Sequence, residues 1–103
     1  MTKIEVIGNL CEDAKGLTIN NSEYVSFRLG VTKKYRDRGG VDHEESCFFS
    51  ALMSGTGGSL LQYLKKGIKI YIRGDLKSSV YERKDHTLAV NNEIFVNDLY
   101  LCG

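Results

Sequence analysis

The stretch Tyr63-Leu64-Lys65-Lys66-Gly67-Ile68-Lys69-Ile70-Tyr71-Ile72-Arg73-Gly74-Asp75-Leu76 decides the architecture of this chain. It reads as the end of a short helix, a glycine stop and a basic strand. Ser59 is placed to cap that helix, Leu60, Leu61 and Leu64 form its apolar stripe, and Gly67 ends it. Ile68, Ile70 and Ile72 then alternate with polar residues, the period of a half-buried strand. Gly74 is expected to let the strand bend before Leu76 resumes the pattern. Rings and cations continue through Lys77, Tyr81, Arg83 and Lys84. Bases need flat apolar surface and phosphates need positive charge, so the mixture points toward a single-stranded nucleic acid surface.

On the N-terminal side, Lys3 to Leu10 reads as a first strand, with Gly8 marking a bend or bulge. Asn20-Asn21 marks a turn. Tyr24 to Thr32 alternates cleanly: Val25, Phe27, Leu29 and Val31 share one face, and Tyr24, Ser26, Arg28 and Thr32 the other. Lys33 to Asp42 is a charged connection with Gly39-Gly40 at its tip, expected as a long hairpin. Glu44 to Met53 is the third strand, with Cys47, Phe49, Ala51 and Met53 on one face and Phe48, Ser50 and Leu52 on the other. Neither face is charged, so either protein covers both or one is an apolar platform for a ligand. After the decisive segment, Ser78 to Leu88 reads as a second hairpin with Lys84-Asp85-His86 near its tip. Leu88, Val90, Ile94 and Val96 form the last strand, interrupted at Asn91-Asn92, and Leu99 and Leu101 close the domain.

The tally is five strands with one short helix between the third and fourth. That order predicts an all-β, five-stranded Greek-key barrel of the oligonucleotide- and oligosaccharide-binding (OB) type, with two protruding hairpins. A chain of 103 residues is expected to form one domain, residues 1–103. No apolar run approaches the roughly 20 residues needed to cross a bilayer, and Met1-Thr2-Lys3-Ile4-Glu5 lacks the apolar segment of a secretion signal. The expectation is a cytoplasmic, nucleoid-associated protein of a cell or phage-infected host, with no membrane partner. Cys11, Cys47 and Cys102 are odd in number and widely spaced, which suits reduced thiols rather than a disulfide framework or a zinc site. His43 and His86 lie in polar loops without ligand spacing and read as solvated. No cofactor or metal is expected. Gly55-Thr56-Gly57-Gly58 lacks the Gly-Lys-Ser/Thr ending of a phosphate loop, and no motif organises the Ser, His and Asp residues for catalysis, so no enzyme is expected.

Net charge is only +1, so any case from charge lies in its distribution. Lys65 to Lys84 holds seven Lys or Arg against Asp75 and Glu82, and Lys33 to Arg38 holds four against Asp37. Carboxylates collect at Glu12-Asp13 and Asp42-Glu44-Glu45. Such asymmetry suits a basic groove or a solvated face.

Five segments in order resemble the bacterial and phage single-stranded DNA-binding protein family of the homotetrameric type. They are Ile4-Glu5-Val6-Ile7-Gly8-Asn9-Leu10, Val25 to Thr32, Tyr35-Arg36-Asp37, Tyr63 to Leu76 and Asn92-Glu93-Ile94-Phe95-Val96. The resemblance covers nearly the whole chain. It implies sequence-tolerant coating of single-stranded DNA in replication, repair and recombination by a homotetramer, with a homodimer as the fallback. It places Tyr35 and Tyr81 where the family has stacking tryptophans, Cys47 at a third tryptophan position and Met53 at a phenylalanine position. Cys47 cannot stack, and Phe49 on the same face is expected to replace lost aromatic area. Phosphate contacts are assigned to Lys33, Lys34, Arg36, Arg73, Lys77, Arg83 and Lys84. Lys65 and Lys66 are equally well explained by the helix dipole. Family members usually continue into an acidic tail; this chain stops at Leu101-Cys102-Gly103, so tail-mediated recruitment is not expected. Two other readings stay open: a dimeric primosomal replication protein N-like adaptor, and a barrel for oligosaccharide or protein.

Overall fold

The computed structural model describes residues 2–102. Its strands are β1 (Thr2–Leu10), β2 (Lys15–Ile19), β3 (Ser22–Arg36), β4 (Asp42–Ser54), β5 (Lys69–Glu82) and β6 (Leu88–Leu101). A short 3-10 helix, Gly58–Tyr63, lies between β4 and β5. The sheet runs β1-β5-β6-β4-β3-β2, and β3 returns to pair with β1 at Asn9 opposite Gly30 and Leu10 opposite Leu29. That contact closes five strands into the expected OB barrel, with β2 as an added edge on β3. All ladders are antiparallel except β4–β6, which is parallel.

The period of two explains the interior. Val25, Phe27 and Leu29 of β3 face Met53, Ala51 and Phe49 of β4 in register. With Val6, Leu10, Leu64, Ile70, Ile72, Ile94 and Val96 they build one apolar core. Burying a side chain of this size is worth about 1.5–3 kcal/mol. β2 was not expected. Only its Leu17 is half-buried, so Lys15–Ile19 carries almost no alternation to read. The turn at Asn20-Asn21 is as expected: both residues take positive φ, 50° and 67°, which asparagine tolerates.

Gly8 marks no bulge. The β1–β5 register is unbroken from Thr2 to Asn9, and glycine is required because a Cβ would lie 2.7 Å from the Gly30 carbonyl oxygen, where β1 crosses β3. Gly74 does sit at an irregularity: the β5–β6 register shifts between Arg73 and Gly74. A Cβ there would lie 2.1 Å from the Phe95 carbonyl oxygen, so the barrel turns this corner only without a side chain. The expected break of the last strand at Asn91-Asn92 is absent. Both residues stay in the ladder opposite Ser79 and Ser78, and the Ser78 hydroxyl donates to Asn92 Oδ1 at 2.8 Å.

The helix is shorter than expected and Ser59 does not cap it. Its N-terminal flank is Gly57 in the left-handed region, with no side-chain hydrogen bond. Gly55, Gly57 and Gly58 all have positive φ, and that flexible run spends the residues a longer helix would need. Leu64 still fills the barrel mouth as a buried plug just after the helix. The Leu10 and Gly67 backbones tie this region to the end of β1, through Leu10 N–H to Ile68 O and Gly67 N–H to Leu10 O.

Beyond the core, β3–β4 and β5–β6 run on as two hairpins. They raise the radius of gyration to 15.5 Å, above the roughly 13 Å of a compact chain this long. Asp37 organises the first tip. Its Oδ1 accepts the Gly39 and Val41 amides at 2.9 and 3.0 Å, and its Oδ2 pairs with His43 Nε2 at 2.7 Å. Those bonds, the His43 one foremost, hold its carboxyl below the usual aspartate value. Asp85 organises the second tip through the Thr87 hydroxyl and amide.

Gly74→Ala is expected to destabilise the protein by about 3 kcal/mol, the upper part of the overpacking range, whereas Gly16→Ala, with open space around it, should stay within about 0.5 kcal/mol; urea melts of both variants check this. Asp37→Ala should speed amide exchange at Gly39 and Val41 by about tenfold, the loss of a hydrogen bond of about 1.4 kcal/mol. Because the carboxyl titrates lower in the folded chain, its stabilisation is present above pH 3.8 and lost only as pH falls through the lower folded value. Exchange measured down a pH series reads this directly.

Candidate nucleic-acid interface

The first hairpin carries Lys33, Lys34, Tyr35 and Arg36 on β3. Tyr35 is 39% exposed. Its hydroxyl donates to Glu45 Oε1 at 3.1 Å, and this bond, followed by the Glu45 charge, pushes the phenol pKa up. The Lys33 ammonium lies 5.9 Å from the Tyr35 ring centroid. The His43 ring stacks on Tyr35 at 5.1 Å with 17° between planes. His43 thus lies in a strand rather than a loop and is paired, though it stays exposed.

The charge pattern of this hairpin differs from the sequence expectation. The acidic cluster that looked separate from the basic one is its cross-strand partner. Lys33 faces Glu45, Lys34 faces Glu44 and Arg36 faces Asp42. Arg36 Nε bonds Asp42 Oδ1 at 3.0 Å. A hairpin turn sets residues six to twelve apart opposite one another, and here it converts a run of positive charge into a near-neutral ladder.

The second hairpin carries Lys77 and Tyr81 on β5, with Arg83 and Lys84 in its turn. Tyr81 is 49% exposed and faces Ala89. Among the described residues, Lys33, Lys34, Lys77, Arg83 and Lys84 have no carboxylate within ion-pair distance. Arg73 differs. It sits on the β1–β5–β6 face, where Asp98 Oδ2 accepts from its Nε at 3.0 Å and also from Nη2. That carboxylate raises the guanidinium pKa further.

Phe49 and Met53 lie on the inner face of β4, partly buried and packed against the core. The uncharged outward face is the other one: Phe48, Ser50 and Leu52. Phe48 is exposed, with the Arg28 guanidinium 5.3 Å from its ring centroid. Gly30 opposite it leaves the ring room, since a Cβ there would stand 3.3 Å from Phe48 Cε1. An open groove of about 350 Å³ continues across this face, with Leu52, Leu76, Phe95, Ser26 and Lys77 in its lining. The sequence pattern places Phe48 on this uncharged face and Arg28 on the matching face of its neighbour, but assigns neither of them, nor Phe95, to a binding site. Alternation alone does not say which face is outside. Cys11, Cys47 and Cys102 are free thiols. Among the described residues no cluster of His, Cys, Asp or Glu could hold a metal ion, and no helix is long and apolar enough to cross a membrane.

Known proteins match this sequence and fold over most of the chain. A single-stranded DNA-binding protein of Neisseria meningitidis is 28% identical over 105 residues, covering 100% of this chain and 60% of that protein. One from Helicobacter hepaticus is 29% identical over 98 residues, covering 87% and 58%. The chain therefore spans about three fifths of the length of these relatives. Among solved structures, a Plasmodium falciparum SSB in complex with ssDNA superposes with a TM-score of 0.77 at 20% identity, covering 100% of this chain and 96% of that one. A small single-stranded DNA-binding protein from Streptomyces coelicolor gives a TM-score of 0.77 at 20% identity, covering 98% and 94%. Both share the barrel. The profile of the Single-strand binding protein family matches residues 1–102, and the chain belongs to that family.

Proposed function

We propose that this protein binds single-stranded DNA with little regard to sequence and coats exposed strands in replication, repair and recombination. The observation that carries the reading is a pair of half-exposed tyrosines, Tyr35 and Tyr81, each on a protruding hairpin with lysines that make no ion pair among the described residues. Every base has a π-face, so stacking on Tyr35 and Tyr81 tolerates any sequence, at about 1–3 kcal/mol per base. A duplex hides those faces. Lys33, Lys34, Lys77, Arg83 and Lys84 supply phosphate contacts and release counterions. Arg36 and Arg73 contribute less, because Asp42 and Asp98 already occupy their guanidinium groups. Phe49 and Met53 act from beneath, as packed support of β4 within the barrel wall. Binding, not catalysis, is the activity, and its place is the nucleoid or the cytoplasm of a phage-infected host.

Self-association is part of the proposal. Ile7 and Tyr100 are exposed on the β1–β5–β6 face, where the Tyr71 and Tyr100 rings lie 6.0 Å apart. An apolar patch of this kind is suited to a second copy, and a homotetramer is the assembly proposed. A dimer in sedimentation would favour the adaptor reading instead.

Tyr81→Ala should weaken oligo-dT binding by at least about fivefold, the lower bound of a lost stacking contact, with the thermal midpoint kept within about 4 °C. Lys84→Ala should lower the slope of log affinity against log salt by about 0.7. Titrations at several salt concentrations check both. Unchanged affinity in the Tyr81 variant would contradict the stacking assignment.

A further inference from the structure

We infer that His43 is itself a nucleic-acid contact, the second ring of a stacking platform built with Tyr35. The inference rests on the single-stranded DNA reading above and adds a residue to it. Tyr35 and His43 are direct cross-strand partners on β3 and β4. Their rings are nearly parallel, 17° apart, at a centroid separation of 5.1 Å, which is the offset-stacked arrangement aromatic pairs prefer.

The pair is fixed at both ends. Glu45 accepts the Tyr35 hydroxyl at 3.1 Å, and Asp37 holds His43 Nε2 at 2.7 Å while its other oxygen is pinned by two tip amides. Asp37 is therefore held in place by the turn, and each ring is tied to a neighbouring carboxylate. Yet the pair is not covered: the His43 side chain is 41% exposed. The Tyr35 ring already meets His43 and the Lys33 ammonium. The imidazole extends the stack outward and offers a face to an incoming base.

Ring area held in place before binding loses little rotamer freedom on binding, so it contributes more affinity than a mobile side chain of the same size. A platform of two rings also answers a deficit of this chain. It has no tryptophan, and Cys47 gives that part of β4 no flat surface. His43 stands on the same strand face as Cys47, four residues away. The ligand class is an unpaired nucleobase.

The test is oligo-dT affinity of His43→Ala and His43→Phe beside wild type. Phenylalanine keeps a ring but cannot bond Asp37, so it separates stacking from a role in holding the turn. His43→Ala is expected to bind at least about fivefold more weakly, and His43→Phe, which keeps the ring but loses the Asp37 bond, to recover most of that loss. The His43 ring protons, assigned by their absence in the Phe variant, should move upfield when oligo-dT saturates the wild-type protein. The inference is overturned if His43→Ala binds like wild type, or if His43→Phe is as weak as His43→Ala. Wild type that fails to bind oligo-dT overturns the underlying reading itself, a result distinct from either.

Discussion

Barrel closure depends on two places where no side chain fits. At Gly8 the backbone of β1 passes so near the Gly30 carbonyl that a methyl group would overlap it, and at Gly74 the β5 backbone packs directly on Phe95 and Val96. These contacts let β1 meet β3 and let β5 turn its corner, so that one sheet encloses a single apolar interior. The candidate interface is cantilevered from that closure. The strands that line the core are the same strands that continue outward as hairpins, so a rigid barrel sets the direction in which Tyr35 and Tyr81 project.

Regular alternation made most of the fold legible in the sequence. Val25, Phe27, Leu29 and Val31 give a strand because every second side chain must find the core, and the isoleucines of β5 follow the same rule. Elements with little to bury were harder to read. β2 carries a lone half-buried leucine, and the helix sits between glycines that fold it into a single 3-10 segment. The asparagines of β6 looked like a break because asparagine favours turns, but pairing with Ser78 and Ser79 keeps them in the ladder.

The candidate site was legible in its rings and less so in its charges. Tyr35 and Tyr81 are exposed on hairpins, as a stacking role requires. Counting charge along the chain failed at the first hairpin, because distance in sequence is not distance in space: register sets Glu44 and Glu45 against Lys34 and Lys33. In the second hairpin the same register sets Glu93 against Lys77, while Arg83 and Lys84 lie in the turn beyond the last paired residues, between Glu82 and Asp85. Parity explains the remaining shift. Phe49 and Met53 share the inward face with Ala51, which leaves Phe48 and Leu52 as the outward apolar residues. His43 reads from the sequence as a solvated loop residue because its spacing suits no metal site, whereas its relation to Tyr35 is a matter of cross-strand register.

The physical claim at the centre is that half-exposed rings on two hairpins, flanked by free cations, recognise unpaired bases. Tyrosine fluorescence offers a direct probe, since the chain has six tyrosines and no tryptophan to mask them. The decisive measurement is a titration of the wild-type protein with oligo-dT and with a duplex of equal length, at low and high salt. Quenching by oligo-dT with tight binding that weakens steeply as salt rises, and far weaker binding of the duplex, is the predicted result. Equal affinity for the two, or no quenching by oligo-dT at low salt, would contradict it.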